Sequence, residues 1–331
     1  MSIADLLSQG MQSLKALEFE QAERIFLGVL ALDARNTQGH FALGIACYQM
    51  GRLNDAERHL SEAISISPDF LPAYNNLGLV YKASGNRGRA MAVLRHVLTI
   101  QPNYVDALYN LALIQEESGD RPGARQSYQR VISLRPDFFR AYTNLGLLLR
   151  ADHETSTAHR YLEAAAKQQP TDVAALVNFA LILTDLARYA DAIGTCERAG
   201  QLEPDNFTVW EALGNAQRLA GDASNASISL RRALDLNPAS VELQYELGLA
   251  QTAAGDLEAG RATFNVVAGA RPDWLKTLFA RDLALPIVYA SEQHITDSRA
   301  DFTAGNANIE ARLLVDNWSL LEAVQAVSGY A

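Results

Sequence analysis

The sequence predicts an all-α solenoid made of eight consecutive pairs of antiparallel helices. Two observations predict this class: seven of the ten prolines recur every 34 residues, and a small residue recurs at two fixed places between them. A repeat of this length is typical of stacked helix pairs, each of which buries its apolar face against its neighbours. The periodic prolines are Pro68, Pro102, Pro136, Pro170, Pro204, Pro238 and Pro272.

The prolines mark the boundaries of the repeated unit. Because a proline cannot continue a helix, each one separates the second helix of one unit from the first helix of the next. Placing the prolines at position 32 predicts a domain of helix pairs over residues 1–274. Its units are residues 3–36, 37–70, 71–104, 105–138, 139–172, 173–206, 207–240 and 241–274.

Small residues mark the places where the two helices of a unit approach each other. Position 8 is glycine or alanine in every unit, and position 20 is alanine in every unit but the last. Without bulky side chains there, two helices can pack closely while larger residues at positions 7, 11 and 24 fill the space beside them. Each unit is therefore predicted to be a helical hairpin.

The turn between the two helices of a unit carries glycine at position 15 in five units. Leucine, histidine and alanine replace it at Leu17, His153 and Ala187. For the fifth and sixth units, which contain His153 and Ala187, we expect a slightly altered connection.

The combination of a 34-residue period with this large and small pattern resembles the tetratricopeptide-repeat family over residues 3–274. The resemblance implies a right-handed superhelix with one concave surface, formed mainly by the first helix of each unit. It also implies that this surface binds another polypeptide.

An asparagine stands at position 6, in the middle of the first helix, in four successive units. Asparagine is about 0.6 kcal/mol less favourable than alanine in a helix interior and cannot cap the helix there. Positions 2, 6, 9 and 13 share a helix face that differs from the packing face, so these amides are expected to point into the groove. The four residues are Asn76, Asn110, Asn144 and Asn178.

In the O-linked N-acetylglucosamine transferase family, an asparagine ladder at this place binds the main chain of an extended acceptor peptide. This sequence is similar at the four positions and departs at Ala42, Ala212 and Glu246. In the alternative interpretation the neighbouring leucines pack between helices and the asparagines are merely solvated. The other predicted peptide-binding residues are Asn75, Tyr109, Leu79, Leu113, Leu147 and Leu181.

The last 57 residues, 275–331, lack the repeat and are predicted to form a capping segment and a connector. Residues 275–285 are apolar at helical spacing, and Ser319 with Glu322 forms a capping box. From Leu285 to Gly305 the sequence resembles the connector of bacterial O-linked N-acetylglucosamine transferase and SPINDLY-like proteins. That resemblance implies that a two-Rossmann catalytic region follows, so we expect the chain to be part of a longer protein.

Composition restricts the partners of the chain. A net charge of -10 and a pI of about 5.1 disfavour binding to nucleic acid or anionic membranes. No stretch reaches the roughly 20 apolar residues of a membrane span, and the N-terminus lacks a basic signal region, so a cytoplasmic location is expected.

Cys47 and Cys196 fall at apolar positions of the repeat and are predicted to be free buried thiols.

The sequence shows no motif typical of a catalytic, phosphate-binding or metal-binding site. We find no phosphate-binding glycine loop, no Asp-x-Asp pair and no metal-binding pair of histidines or cysteines. Catalytic residues, metals and cofactors are therefore not expected within the chain.

Two functions remain open from the sequence. The first is the acceptor-recognition arm of a protein O-glycosyltransferase, and the alternative is a stand-alone adaptor for multiprotein assembly without an enzyme. Both bind a protein or an extended peptide segment, and both allow a homo-oligomer.

Overall fold

The structure is a computed structural model that describes residues 2–272 and, further along, positions 274, 277, 280, 281, 303–305 and 307. Between residues 3 and 270 the backbone forms sixteen α-helices and no strand, so the predicted all-α class is confirmed. The helices are α1 (Ile3–Lys15), α2 (Phe19–Leu32), α3 (Thr37–Gln49), α4 (Leu53–Ile66), α5 (Leu71–Ala83), α6 (Arg87–Ile100), α7 (Val105–Glu117), α8 (Arg121–Leu134), α9 (Phe139–Ala151), α10 (Thr155–Gln168), α11 (Val173–Asp185), α12 (Tyr189–Leu202), α13 (Phe207–Leu219), α14 (Ala223–Leu236), α15 (Val241–Ala253) and α16 (Leu257–Ala270).

Packing divides the chain into two compact units, an N-terminal unit (Met1–Asp152) and a C-terminal unit (His153–Ala331). Within the N-terminal unit each helix from α1 to α9 packs against the next, and α3, α5 and α7 also pack side by side. Within the C-terminal unit α10 to α16 pack in the same sequential way, with α11 beside α13 and α13 beside α15. Odd-numbered helices are the first helices of the repeats and even-numbered helices the second.

Close approach of the two helices in a repeat depends on the small residue at position 8. A Cβ atom added to Gly214 would lie 2.6 Å from Cγ of Leu230 and 3.2 Å from its backbone nitrogen. Gly78 faces Leu94 in the same way, at 2.9 Å. The position-20 alanines are fully buried in all seven repeats that carry one, so the size pattern serves helix packing.

The turn between the helices of a repeat uses a left-handed residue at position 15. Gly221 has φ 86°, and Leu17, His153 and Ala187 have φ 62°, 60° and 56°. The turn at Ala187 closes with an Arg188 to Leu183 backbone hydrogen bond of 2.8 Å, matching the 2.9 Å bond from Asp222 to Gln217 beside Gly221. The expected alteration at Ala187 is therefore wrong, because the same backbone conformation forms there without glycine, whereas for His153 the expectation stays a prediction.

Buried polar pairs join the two helices of the fourth and seventh repeats. Ser127 donates a hydrogen bond to Gln115, and Ser229 donates one to Gln217, each at 2.8 Å. These pairs link positions 11 and 23, so position 11 is not always filled by an apolar residue. Satisfying both groups avoids the cost of burying an unpaired polar atom.

The two cysteines are free and buried, as predicted. Burial raises the pKa of the Cys196 thiol to about 12, so the thiol stays protonated and unreactive.

Several sequence predictions fall on residues outside the described part of the chain. They are the apolar helix over 275–285 apart from positions 277, 280 and 281, the connector over 285–305 apart from residues 303–305, and the capping box of Ser319 and Glu322. The predicted boundary between the repeats and the segment 275–331 stays a prediction.

Candidate functional site

The candidate site is the face of the first helices that carries repeat positions 2, 5, 6 and 9. Every peptide-binding residue predicted from the sequence occupies position 5, 6 or 9. These residues lie on α5, α7 and α9 of the N-terminal unit and on α11 of the C-terminal unit.

In the N-terminal unit, Asn110 is bound to the preceding repeat. Its Nδ2 donates to Oδ1 of Asn75 at 2.9 Å, and both side chains are buried. The bond joins position 6 of α7 to position 5 of α5. This bond satisfies one donor of Asn110 and the acceptor of Asn75, and it links two neighbouring first helices.

Asn144 repeats this arrangement one helix further along the chain. Its Nδ2 donates to the hydroxyl of Tyr109, position 5 of α7, at 3.1 Å and reaches the hydroxyl of Tyr128 at 3.4 Å. Tyr128 in turn donates to Glu116 at 2.7 Å. Burial and the bond to Glu116 raise the pKa of Tyr128, and burial raises the pKa of Tyr109, so both hydroxyls keep their protons.

Asn76 shows what happens when the preceding repeat offers no acceptor. Position 5 of that repeat is Phe41, and Nδ2 of Asn76 donates instead to the carbonyl of Pro72 in its own helix at 2.9 Å. The residue at position 5 of the preceding repeat therefore decides where each position-6 amide donates in the N-terminal unit.

Two side-chain carbonyl oxygens on the same face remain without a hydrogen bond in the described part of the chain. Among the residues that the structure describes, Oδ1 of Asn76 and Oδ1 of Asn144 receive no hydrogen bond. Both residues are half-buried, so their carbonyl oxygens remain within reach of an N–H donor. The position-9 leucines Leu79, Leu113 and Leu147 are also half-buried and add apolar surface.

In the C-terminal unit the face contains a cavity of about 420 Å³ between α11 and α13. All of its lining residues occupy positions 2, 5, 6 or 9 of their repeats. Helix α11 contributes the predicted residues Asn178 and Leu181, which line the cavity together. The full lining is Ala174, Val177, Asn178, Leu181, Thr208, Glu211, Ala212 and Asn215.

The polar wall of this cavity includes two acceptors that lack a partner among the residues that the structure describes. Oδ1 of Asn215 is buried without a hydrogen-bond partner. Glu211 is half-buried, and it has no ion pair among the residues that the structure describes. Burial, followed by the charges of Glu246 and Glu242, raises the pKa of the Glu211 carboxyl.

One cation balances part of this negative charge. Arg218 lies 2.9 Å from Glu246, although the geometry between Nη2 and Oε2 is that of an ion pair rather than a hydrogen bond. Three carboxylates, Glu211, Glu242 and Glu246, therefore accompany one arginine on α13 and α15.

Sequence reasoning missed Glu211, Asn215 and Thr208. The signal was available, because these residues occupy positions 5, 9 and 2 of the seventh repeat, the same class of positions that was selected in earlier repeats.

The described part of the chain was also compared with the features of a membrane span and of a metal site. Within residues 2–272 no helix has the length and hydropathy that a membrane crossing requires. The described residues also contain no group of three or more histidine, cysteine, aspartate or glutamate side chains able to hold a metal ion.

Comparison with known families connects the repeats to one group of proteins. Models described as tetratricopeptide repeats match residues 44–85, 81–146, 143–207 and 211–273. Curated protein sequences yield no match.

Three solved structures of similar fold illustrate the likeness. The APC/C complex Cut9-Hcn1 matches 81% of this chain and 52% of its own, with 16% identity and a TM-score of 0.59. Pseudomonas aeruginosa pilF matches 63% of this chain and 95% of its own, with 20% identity and a TM-score of 0.56. A tetratricopeptide repeat protein from Parabacteroides merdae matches 80% and 98%, with 15% identity and a TM-score of 0.55. At these identities the likeness shows the fold alone.

Proposed function

This chain belongs to the tetratricopeptide-repeat family, and we propose that it binds an extended segment of another polypeptide on the position 2, 5, 6 and 9 face of its first helices. The cavity between α11 and α13 carries the proposal, since residues at these positions alone line it. It combines apolar walls with side-chain amides, which is the usual composition of a binding site.

Amide side chains suit recognition of a main chain. An asparagine offers an acceptor and two donors, so it can pair with a peptide N–H or C=O whatever the partner's side chain is. In the N-terminal unit the donors of Asn76 and Asn144 already have partners, so these residues would mainly accept hydrogen bonds from the partner's N–H groups. In the C-terminal unit Asn178 lines the cavity with its amide available for either role.

The expected affinity is modest. At about 0.5–1.5 kcal/mol net for each hydrogen bond, a few amides contribute several kcal/mol, and ordering a flexible segment consumes part of this. A short peptide should therefore bind with a Kd in the micromolar range or weaker.

A random library of displayed 12-residue peptides tests the proposal. We expect selection on the whole chain to yield peptides that bind with micromolar Kd in fluorescence anisotropy. Replacing both Asn76 and Asn178 with alanine should weaken binding by several fold, because neither residue bonds to another repeat in the described structure. The matched control is Asn54→Ala on α4. Asn54 is exposed and lies on the second helix of its repeat, outside the candidate site. No selected binder, or equal affinity for both variants, would contradict the proposal.

We further propose that the bound segment is the acceptor of a protein O-glycosyltransferase of which this chain is one arm. The asparagines at position 6 and the resemblance of residues 285–305 to the connector of that enzyme family support it. Sequencing the gene beyond codon 331 and assaying its full product for sugar transfer to the selected peptides tests this. A full product without transfer activity would favour the stand-alone adaptor.

A further inference from the structure

The cavity between α11 and α13 has a chemical character that a main-chain binding site does not require. Hydrogen bonding to a peptide backbone calls for donors and acceptors together. Here the polar wall includes the carboxylate of Glu211 and the buried, unpaired Oδ1 of Asn215. Glu211 and Asn215 are four residues apart on α13, so they lie one turn apart on the same helix face.

The surroundings of the cavity strengthen its negative character. Glu242 and Glu246 on α15 act on Glu211 with like charge, and Arg218 on α13 is already placed against Glu246. A carboxylate in such a place is stabilised by an incoming cation, because the cation offsets both the lost hydration and the repulsion.

The apolar walls select for a particular kind of cation. Val177 and Leu181 on α11 and Ala212 on α13 line the cavity beside the acceptors. A lysine or arginine side chain complements such a cavity. Its aliphatic stem packs on apolar surface, and its charged end donates hydrogen bonds. A volume of about 420 Å³ leaves space for one such side chain.

We propose that the cavity between α11 and α13 receives a lysine or arginine side chain of the bound polypeptide, with Glu211 and Asn215 accepting its N–H groups. This inference rests on the proposed function and adds a sequence preference to it. The partner segment should carry a basic residue at the place where it contacts this cavity of the C-terminal unit.

The peptide selection described above distinguishes this inference from the proposed function. Peptides selected on the whole chain should be enriched in lysine or arginine at one position. Peptides selected on Glu211→Gln should lack that enrichment while still binding. Binders without a preferred basic residue would overturn this inference and leave the proposed function standing, whereas a selection without any binder would overturn both.

A direct measurement completes the test. For a selected peptide, replacing the lysine with glutamine, or the arginine with citrulline, should weaken binding to the whole chain about tenfold, as for loss of a charge-assisted hydrogen bond. The same replacement should have little effect on Glu211→Gln. The matched control is Glu197→Gln on α12, which removes the same charge at an exposed place outside the cavity. Equal losses on the parent chain and on Glu211→Gln would refute the assignment of Glu211, provided that the melting temperature shows the variant to be folded.

Discussion

Replacing Gly214 with alanine should destabilise the chain even though alanine is the better helix former. Alanine in place of glycine inside a helix gains about 0.5–1 kcal/mol. Against this, the new Cβ would lie 2.6 Å from Cγ of Leu230 and 3.2 Å from the Leu230 backbone nitrogen, so α13 and α14 must move apart. Such overpacking costs about 1–3 kcal/mol, which exceeds the helix gain over most of that range.

Gly194 provides the matched control in the same unit. It lies inside α12, and an added Cβ would have no heavy atom within 4 Å. Gly194→Ala should therefore keep the full gain, and the two variants should differ by about 1–3 kcal/mol. Urea denaturation followed by circular dichroism gives their order from the midpoints, which needs no two-state assumption for a repeat array. If Gly214→Ala unfolds at the same or higher urea concentration than Gly194→Ala, the close-packing argument is refuted.

Two further predictions concern the turns and a buried histidine. Ala187→Gly should stabilise the chain by about 0.5–1 kcal/mol, because Ala187 adopts a left-handed conformation at φ 56° that costs a non-glycine residue energy; an unchanged or lower urea midpoint would contradict this. His59 should lower stability in acid. Burial, followed by the charges of Arg58 and His40, lowers the pKa of His59 to about 4, against an unfolded value near 6.5. The carboxylates of Asp55 and Glu23 oppose this shift only in part. The unfolded chain therefore binds the proton first, and the melting temperature should fall as pH decreases from about 6.5 to 4, by less in His59→Gln than in the parent chain; equal slopes would exclude His59 as the cause.

The geometry around His59 explains why protonation is unfavourable there. Arg58 donates to Nε2 of His59 at 3.3 Å, so Nδ1 of His59 carries the proton and donates to Nδ1 of His40 at 3.1 Å. Nε2 of His40 then donates to the carbonyl of Ala34 at 3.1 Å. The neutral His59 ring satisfies both of its partners, whereas a second proton on His59 would face the guanidinium of Arg58.

The helical hairpins could be predicted from the sequence because the contacts that form them are local and depend on residue size. A small residue at position 8 meets the position-24 side chain of the same hairpin, as Gly214 meets Leu230. The left-handed turn at Ala187 could not be predicted, because its cause is the packing of the flanking helices and not the turn residue.

The sequence by itself determined the period, the helix pairs and the face that carries Asn178 and Leu181. Only the tertiary structure decided which amides of that face are engaged. Asn110 and Asn144 have the same position and the same helix type, yet one donates to Asn75 and the other to Tyr109. The physical reason is that a side-chain hydrogen bond depends on the chemistry of the facing helix, 35 residues away in the chain, which periodicity does not encode. The cavity beside Glu211 arises in the same way, from side chains that two neighbouring first helices bring together.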